Sequence, residues 1–269
     1  MKLHPTALIS KTAIVGSNVE IGPYSVIGPQ VKIGAGTRVM SHVVIDGHTT
    51  VGERCVIFPG ACLGMPPQDK KFKGEVSFLQ IGNDNTIREY ATIHRGSAPG
   101  AKTVIGDKNF IMINCHIGHD CRLGDEITMV NGSVLGGHAA VEDGAVMGGY
   151  SGVHQYTRVG KLSMLGAFAK ATMDVPPFSL CDGYPAQVCG INLVGLRRAG
   201  YSSSDLILLK KAIKTLFMSP FTLAHAAQKV KKELRPTREI QHLLEFVSAS
   251  KRGIKRTARR LPDRQAVED

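Results

Sequence analysis

Histidines at positions 94, 116, 119, 138 and 154 are the side chains in this sequence best suited to moving protons. An imidazole with an ordinary pKa of about 6.5 can take a proton from a hydroxyl at neutral pH, as general-base catalysis of acyl transfer requires. His119-Asp120 sets a carboxylate next to such a ring. Adjacent residues of a strand point to opposite faces, however, so the sequence leaves their hydrogen bond open. Gly136-Gly137-His138 puts exposed backbone N–H groups beside another imidazole, and donors of that kind stabilise the oxyanion of a thioester under attack. One histidine alone is more often packed or solvated than catalytic, whereas several on one face reverse that reading. Three imidazoles can also hold a zinc ion, so a metal reading stands second.

Other nucleophiles are less well placed. No serine is set beside a base, and Cys55, Cys115 and Cys121 fall at positions expected to pack inward. Direct attack by an acceptor hydroxyl is therefore favoured over a covalent acyl-enzyme. The glycines follow a six-residue beat and form no phosphate loop.

Whether the histidines converge depends on that beat. Counting by six from Leu3 gives Ile9, Val15, Ile21, Ile27, Ile33, Val39, Ile45, Val51, Ile57 and Leu63. The same phase returns at Ile81, Ile87 and Ile93, and again from Ile105 through Ile117, Met129, Val141 and Val153 to Leu165. It fails only at Asp69, Glu75 and Pro99. Glycine often follows the aliphatic residue, as at Gly16, Gly34 and Gly106, which suggests a turning corner. A small residue usually stands two places before it, as at Ser25, Thr37, Ala61 and Cys115. Apolar residues do not recur at helical spacing.

The sequence therefore predicts a mainly β protein, a left-handed parallel β-helix of hexapeptide repeats followed by a small C-terminal α-helical domain. Three hexads close one triangular coil, giving about nine stacked coils. Residues 1–190 form the prism, with loop insertions near 64–80 and 96–103. Residues 191–269 form the helical domain, with a helix capped by Ser203 or Ser204, a break at Pro220, about three helices in all and a frayed basic tail from Lys251. On such a prism residues 18 apart repeat their place, so His116, His138 and His154 are expected along one groove.

A formal charge of +11 calls for acidic partners: nucleic acid, phosphorylated small molecules or an acidic carrier protein. Six cysteines without a CxxC pair, and no signal peptide, point to reduced thiols in the cytoplasm. No apolar run approaches the roughly 20 residues of a membrane helix, so stable membrane insertion is not expected.

Several segments, in order, resemble one family. They are HPTA at 4–7, SHVVIDGHT at 41–49, PQDKKFKGE at 67–75, TIHRG at 92–96, INCHIGHDC at 113–121, LGGH at 135–138, GVHQ at 152–155, DVPPF at 174–178 and GINLVGLRRAG at 190–200. The chain resembles the bacterial acyl-carrier-protein:UDP-N-acetylglucosamine O-acyltransferases that begin lipid A synthesis. That resemblance implies His119 as general base toward the sugar 3-hydroxyl, Asp120 as its support and the Gly137 amide as oxyanion donor, with no metal and no cofactor. It implies Gln68, Asp69, Lys71, His116, His138, His154 and Gln155 around sugar, phosphates and acyl-pantetheine, and Asn192 and Arg198 at the nucleotide end. Met164 and Ala167 would limit acyl length. Partners would be acyl carrier protein and UDP-N-acetylglucosamine rather than nucleic acid, and the assembly a homotrimer. Pro185, Val194 and Ala199 stand where many members carry histidine, glutamate and a second arginine. Acylation of the 3-amino analogue, and a zinc enzyme like the β-helical carbonic anhydrases, are the alternatives.

Overall fold

The structure, a computed structural model, describes residues 2–257. Short strands, most of them two residues long, fall into three sheets of eleven, nine and eight strands that form the three faces of a prism. Outside the two insertions and the C-terminal hairpin, strand neighbours are parallel and 18 residues apart, as in Lys2↔Glu20 and His116↔Val134. The aliphatic residue of each hexad points inward, and Ile21, Ile45, Ile87, Ile117 and Leu135 are at most 2% exposed. Each such burial stabilises by about 1.5–3 kcal/mol relative to exposure, and stacking makes the core continuous. The small residues two places earlier are buried too, and desolvation pushes the Cys121 thiol up to about 12, which makes it unreactive.

The corners differ from the sequence expectation. Apart from Gly64, glycines directly after the aliphatic residue do not supply the left-handed backbone. That conformation belongs to residues such as Asn18, Tyr24, His42, Asp120, His138 and Tyr156, with φ between 55° and 62°. The glycines answer a different demand, close approach of coils: a Cβ on Gly34 would lie 2.5 Å from the Gly52 carbonyl carbon.

Both insertions preserve the phase. His48 pairs with Phe78 and Phe78 with Lys102, so the loops add two hexads and one hexad to the usual coil. The first loop folds back through Arg95, whose guanidinium donates to the Gly64 carbonyl at 2.9 Å and lies over the Phe72 ring.

The double proline at 176–177 ends the hexads but not the sheet. Ser179–Gly183 adds to the Met164–Leu165 strand and returns as an antiparallel hairpin through Ala186–Ile191. Four helices follow: α1 Leu193–Arg198, α2 Ser203–Phe217, α3 Leu223–Glu233 and α4 Arg238–Ser248. The six-residue α1 was not anticipated, and the cap of α2 is Ser202, which forms a capping box with Asp205. Leu206, Leu209, Ile213 and Leu216 of α2 face the core as their spacing predicted.

The expected fraying from Lys251 does not hold through Thr257. Arg256 donates to the Ser219 and Phe221 carbonyls at 2.7 and 2.6 Å, Ile254 is buried, and Ser250 donates to Asp174. The rest of the predicted tail, 258–269, lies outside the described residues. Among the described residues no helix is long and apolar enough to cross a membrane.

Candidate active site

His119 lies in the turn between the strands His116–Ile117 and Arg122–Leu123, not within a strand. Its neighbour Asp120 takes a left-handed φ of 61°, so the two side chains do not diverge. Instead His119 Nδ1 and Asp120 Oδ2 are 2.8 Å apart. The same oxygen accepts from the Ser97 backbone N–H at 3.1 Å and the Ser97 hydroxyl at 2.7 Å. Burial raises the Asp120 carboxyl, but these bonds and the nearby His138 outweigh it and hold the group below its ordinary value. An ionised acceptor at Oδ2 fixes the proton of His119 on Nδ1 and leaves the Nε2 lone pair free.

Positions 120, 138 and 156 are successive left-handed corners, and they form a column. His138 meets His119 edge-on with ring centroids 5.1 Å apart, and its Nε2 is 3.6 Å from Asp120 Oδ2. Tyr156 stacks on His138 at 4.5 Å and 7°. One coil beyond His119 sits Gly137, where a Cβ would fall 2.6 Å from His119 Nε2. The imidazole therefore packs against bare backbone, and the Gly137 N–H takes no acceptor among the described residues.

Nε2 faces a cleft of about 350 Å³ lined by Gln68, His94, His116, His119, Gly137, His154 and Gln155, among others. His116 projects outward from its strand and shares a 2.8 Å hydrogen bond with the Thr92 hydroxyl. His94 is 7% exposed and packs edge-on against His116 at 5.1 Å. Burial, reinforced by His116, pushes His94 down to about 4, and burial also lowers His116. Both rings are neutral at physiological pH.

Of the residues singled out in the sequence, Gln68, His116, His119, Gly137, His154 and Gln155 line this cleft, and Asp120 lies behind His119. His138 stands in the column beside Asp120 rather than along the cleft wall. Asp69 and Lys71 lie in the first insertion, where the Asp69 carboxylate accepts the Lys71 N–H at 3.0 Å. Asn192 caps α1 and donates to the Leu162 carbonyl at 2.9 Å, while Arg198 is exposed at the far end of the same helix. Met164 points out from the first sheet, and Ala167 is exposed at the next corner. Of three further neighbours, the sequence named His94 only as one of five candidate histidines, without a role of its own, and missed Ser97 and Arg252, whose Nη2 reaches His154 Nδ1 at 3.1 Å while bonded to the Thr172 carbonyl. Only His94 carried a signal in the repeat.

His119, Asp120 and His138 offer donor atoms within 4.8 Å of one another, a set able to hold a cation. It comprises two imidazoles and one carboxylate rather than three imidazoles. Its shared oxygen already accepts from Ser97 twice and from His119, bonds a zinc ion would have to displace.

The comparisons with known proteins bear on this arrangement. Residues 174–255 match the family described as UDP-N-acetylglucosamine O-acyltransferase, domain 2, and residues 12–47 and 102–137 match the bacterial transferase hexapeptide family. An acyl-[acyl-carrier-protein]–UDP-N-acetylglucosamine O-acyltransferase of Thermodesulfovibrio yellowstonii is 51% identical over 94% of this chain and 98% of its own length. The chain belongs to the UDP-N-acetylglucosamine O-acyltransferase family. A relative of the same name in Myxococcus xanthus is 45% identical over 95% of this chain and 99% of its own. Solved acyltransferase structures from Acinetobacter baumannii and Moraxella catarrhalis superpose with TM-scores of 0.90 each, at 42% and 37% identity. They cover 94% and 95% of this chain, and 99% and 100% of their own. The prism is thus the left-handed β-helix of this acyltransferase family, as the hexads predicted.

Proposed function

We propose that the protein transfers a 3-hydroxyacyl group from acyl carrier protein to the 3-hydroxyl of UDP-N-acetylglucosamine, the opening step of lipid A synthesis. One observation carries the mechanism: His119 is bonded through Nδ1 to an ionised Asp120, and its ring lines a cleft together with Gly137, whose N–H takes no acceptor among the described residues. Nε2 takes the proton of the sugar hydroxyl as its oxygen forms a bond to the thioester carbonyl carbon. The carbonyl oxygen gains negative charge, and the Gly137 N–H stabilises it. Asp120 stabilises the imidazolium. Collapse of the intermediate breaks the carbon–sulfur bond, and the departing phosphopantetheine sulfur receives the proton from His119. No cofactor enters, since the pantetheine arrives with the carrier.

Gln68, His116, His154 and Gln155 supply polar contacts for the acceptor, and Lys71 and Asp69 approach from the first insertion. Asn192 and Arg198, Met164 and Ala167, absent from the cleft of one chain, serve the nucleotide and acyl ends from a neighbouring subunit of a homotrimer. An uncharged strip supports that assembly: Leu8, Val26, Val44, Cys62, Thr92, His116, Val134 and Gly152 follow one another up one face, flanked by exposed Tyr24, Tyr90, Tyr150 and Phe168. A second cleft, with Arg197, Lys210 and Lys214 around Leu206 and Ile207, suits an acidic carrier. All six cysteines are free, which supports a cytoplasmic setting.

The test is turnover of a 3-hydroxyacyl carrier donor with UDP-N-acetylglucosamine, read by product mass, in wild type and His119→Ala. Wild type is expected to form the ester with or without chelator, and the variant to lose on the order of 10³-fold or more in rate. A normal rate in the variant, or stoichiometric zinc whose removal abolishes turnover, would overturn the mechanism.

A further inference from the structure

We infer that the second insertion, residues 96–103, belongs to the proton-transfer apparatus, with Ser97 as a positioning residue that holds the Asp120 carboxylate against His119. The inference rests on the reading of His119 as base and adds to it a residue outside the cleft lining.

The loop grips Asp120 at two points. Ser97 donates twice to Oδ2, from its backbone N–H at 3.1 Å and its hydroxyl at 2.7 Å, and this oxygen is the one that meets His119 Nδ1. At the other end of the loop Thr103 is fully buried, and its hydroxyl oxygen accepts the Asp120 N–H at 2.8 Å. Side chain and backbone of one residue are thus fixed by the two ends of a single extra hexad. The corners stacked beyond it, His138 and Tyr156, have no comparable clamp among the described residues: their rings rest on each other.

Asp120 needs that restraint because of where it stands. A short carboxylate on a left-handed corner can turn about two side-chain bonds. Three donors converging on one oxygen remove that freedom and orient the lone pair toward the imidazole. If the carboxylate turned away, nothing among the described residues would hold the His119 proton on Nδ1, and the fraction of rings with a free Nε2 would fall. Ser97 does not line the cleft, so its loss leaves substrate contacts in place.

The experiment is steady-state kinetics on full-length Ser97→Ala and Ser97→Thr, with His119→Ala and wild type in parallel, using the 3-hydroxyacyl carrier donor and UDP-N-acetylglucosamine. Ser97→Ala is expected to lower kcat by about 10- to 100-fold, the range for losing one hydrogen bond to a charged group. Both KM values should stay within about twofold. Ser97→Thr keeps the hydroxyl and the N–H and should recover most of the rate. Wild-type kcat in Ser97→Ala, an undiminished deficit in Ser97→Thr, or a loss expressed as raised KM would overturn the inference. A dead His119→Ala beside an unaffected Ser97→Ala rejects the positioning role alone, whereas an active His119→Ala rejects the base and this role with it.

Discussion

A methyl group added at Gly137 would project at the reacting atom of the site. Its Cβ falls 2.6 Å from His119 Nε2 and 2.7 Å from Cε1, where ordinary contact begins at 3.4 Å. The obstacle is the outer edge of a side chain, so the ring can tilt away while the coils stay stacked. The neighbouring glycine faces a different obstacle. A Cβ on Gly136 would lie 2.8 Å from the Gln155 backbone nitrogen and 3.2 Å from the Val153 oxygen, and neither can move without parting two coils. Gly137→Ala should therefore lose roughly 100-fold in kcat/KM, the cost of misplacing a catalytic atom by about 1 Å, with little change in melting temperature. Gly136→Ala should lose about 2 kcal/mol of stability to overpacking, a fall of roughly 4–8 °C in Tm. Calorimetry and carrier-dependent turnover on both variants make the comparison. Gly137→Ala within threefold of wild-type kcat/KM, or destabilised as much as Gly136→Ala, would refute the packing of His119 on that glycine.

Burial holds His94 near 4, so its ring should titrate by NMR well below an ordinary histidine. The unfolded chain then binds the proton between about pH 6.5 and pH 4 while the folded chain does not. Stability should consequently fall on acidification through that window, and fall less in His94→Gln. Asp174, 3% exposed, accepts the Arg158 N–H at 2.8 Å and the Ser250 hydroxyl at 2.7 Å. Asp174→Ala should cost about 1–3 kcal/mol in denaturant unfolding and speed amide exchange at residues 250–257.

The prism was readable because each hexad states the same thing. An inward aliphatic residue every six positions, with a small residue two places earlier, has few ways to be satisfied other than a stack of triangular coils. Even the insertions were visible, as Asp69, Glu75 and Pro99. The site was readable in part. The repeat brought His116, His119 and His154 to one cleft, but pairing histidines by approximate spacing put His138 there as well. The exact step of 18 links it to Asp120 and Tyr156 instead. The His119–Asp120 bond was hidden because it depends on a left-handed φ at a non-glycine residue, which a strand alternation argument excludes. Ser97 and Arg252 reach the site from a loop and from the far end of the chain, and no periodicity records such contacts. The docked segment up to Thr257 was obscured by its own charge: guanidinium groups that read as solvated are spent on backbone carbonyls.

The stacking of coils also quantises distance along the molecule. Adjacent strands in a sheet are about 4.8 Å apart, so moving a wall residue to the equivalent place on the next coil displaces it by that whole step. A trough running beside the prism therefore has two scales of adjustment. Exchanging side chains of different bulk trims its length by about one methylene at a time, while relocating a blocking residue by 18 positions changes it by several carbons at once.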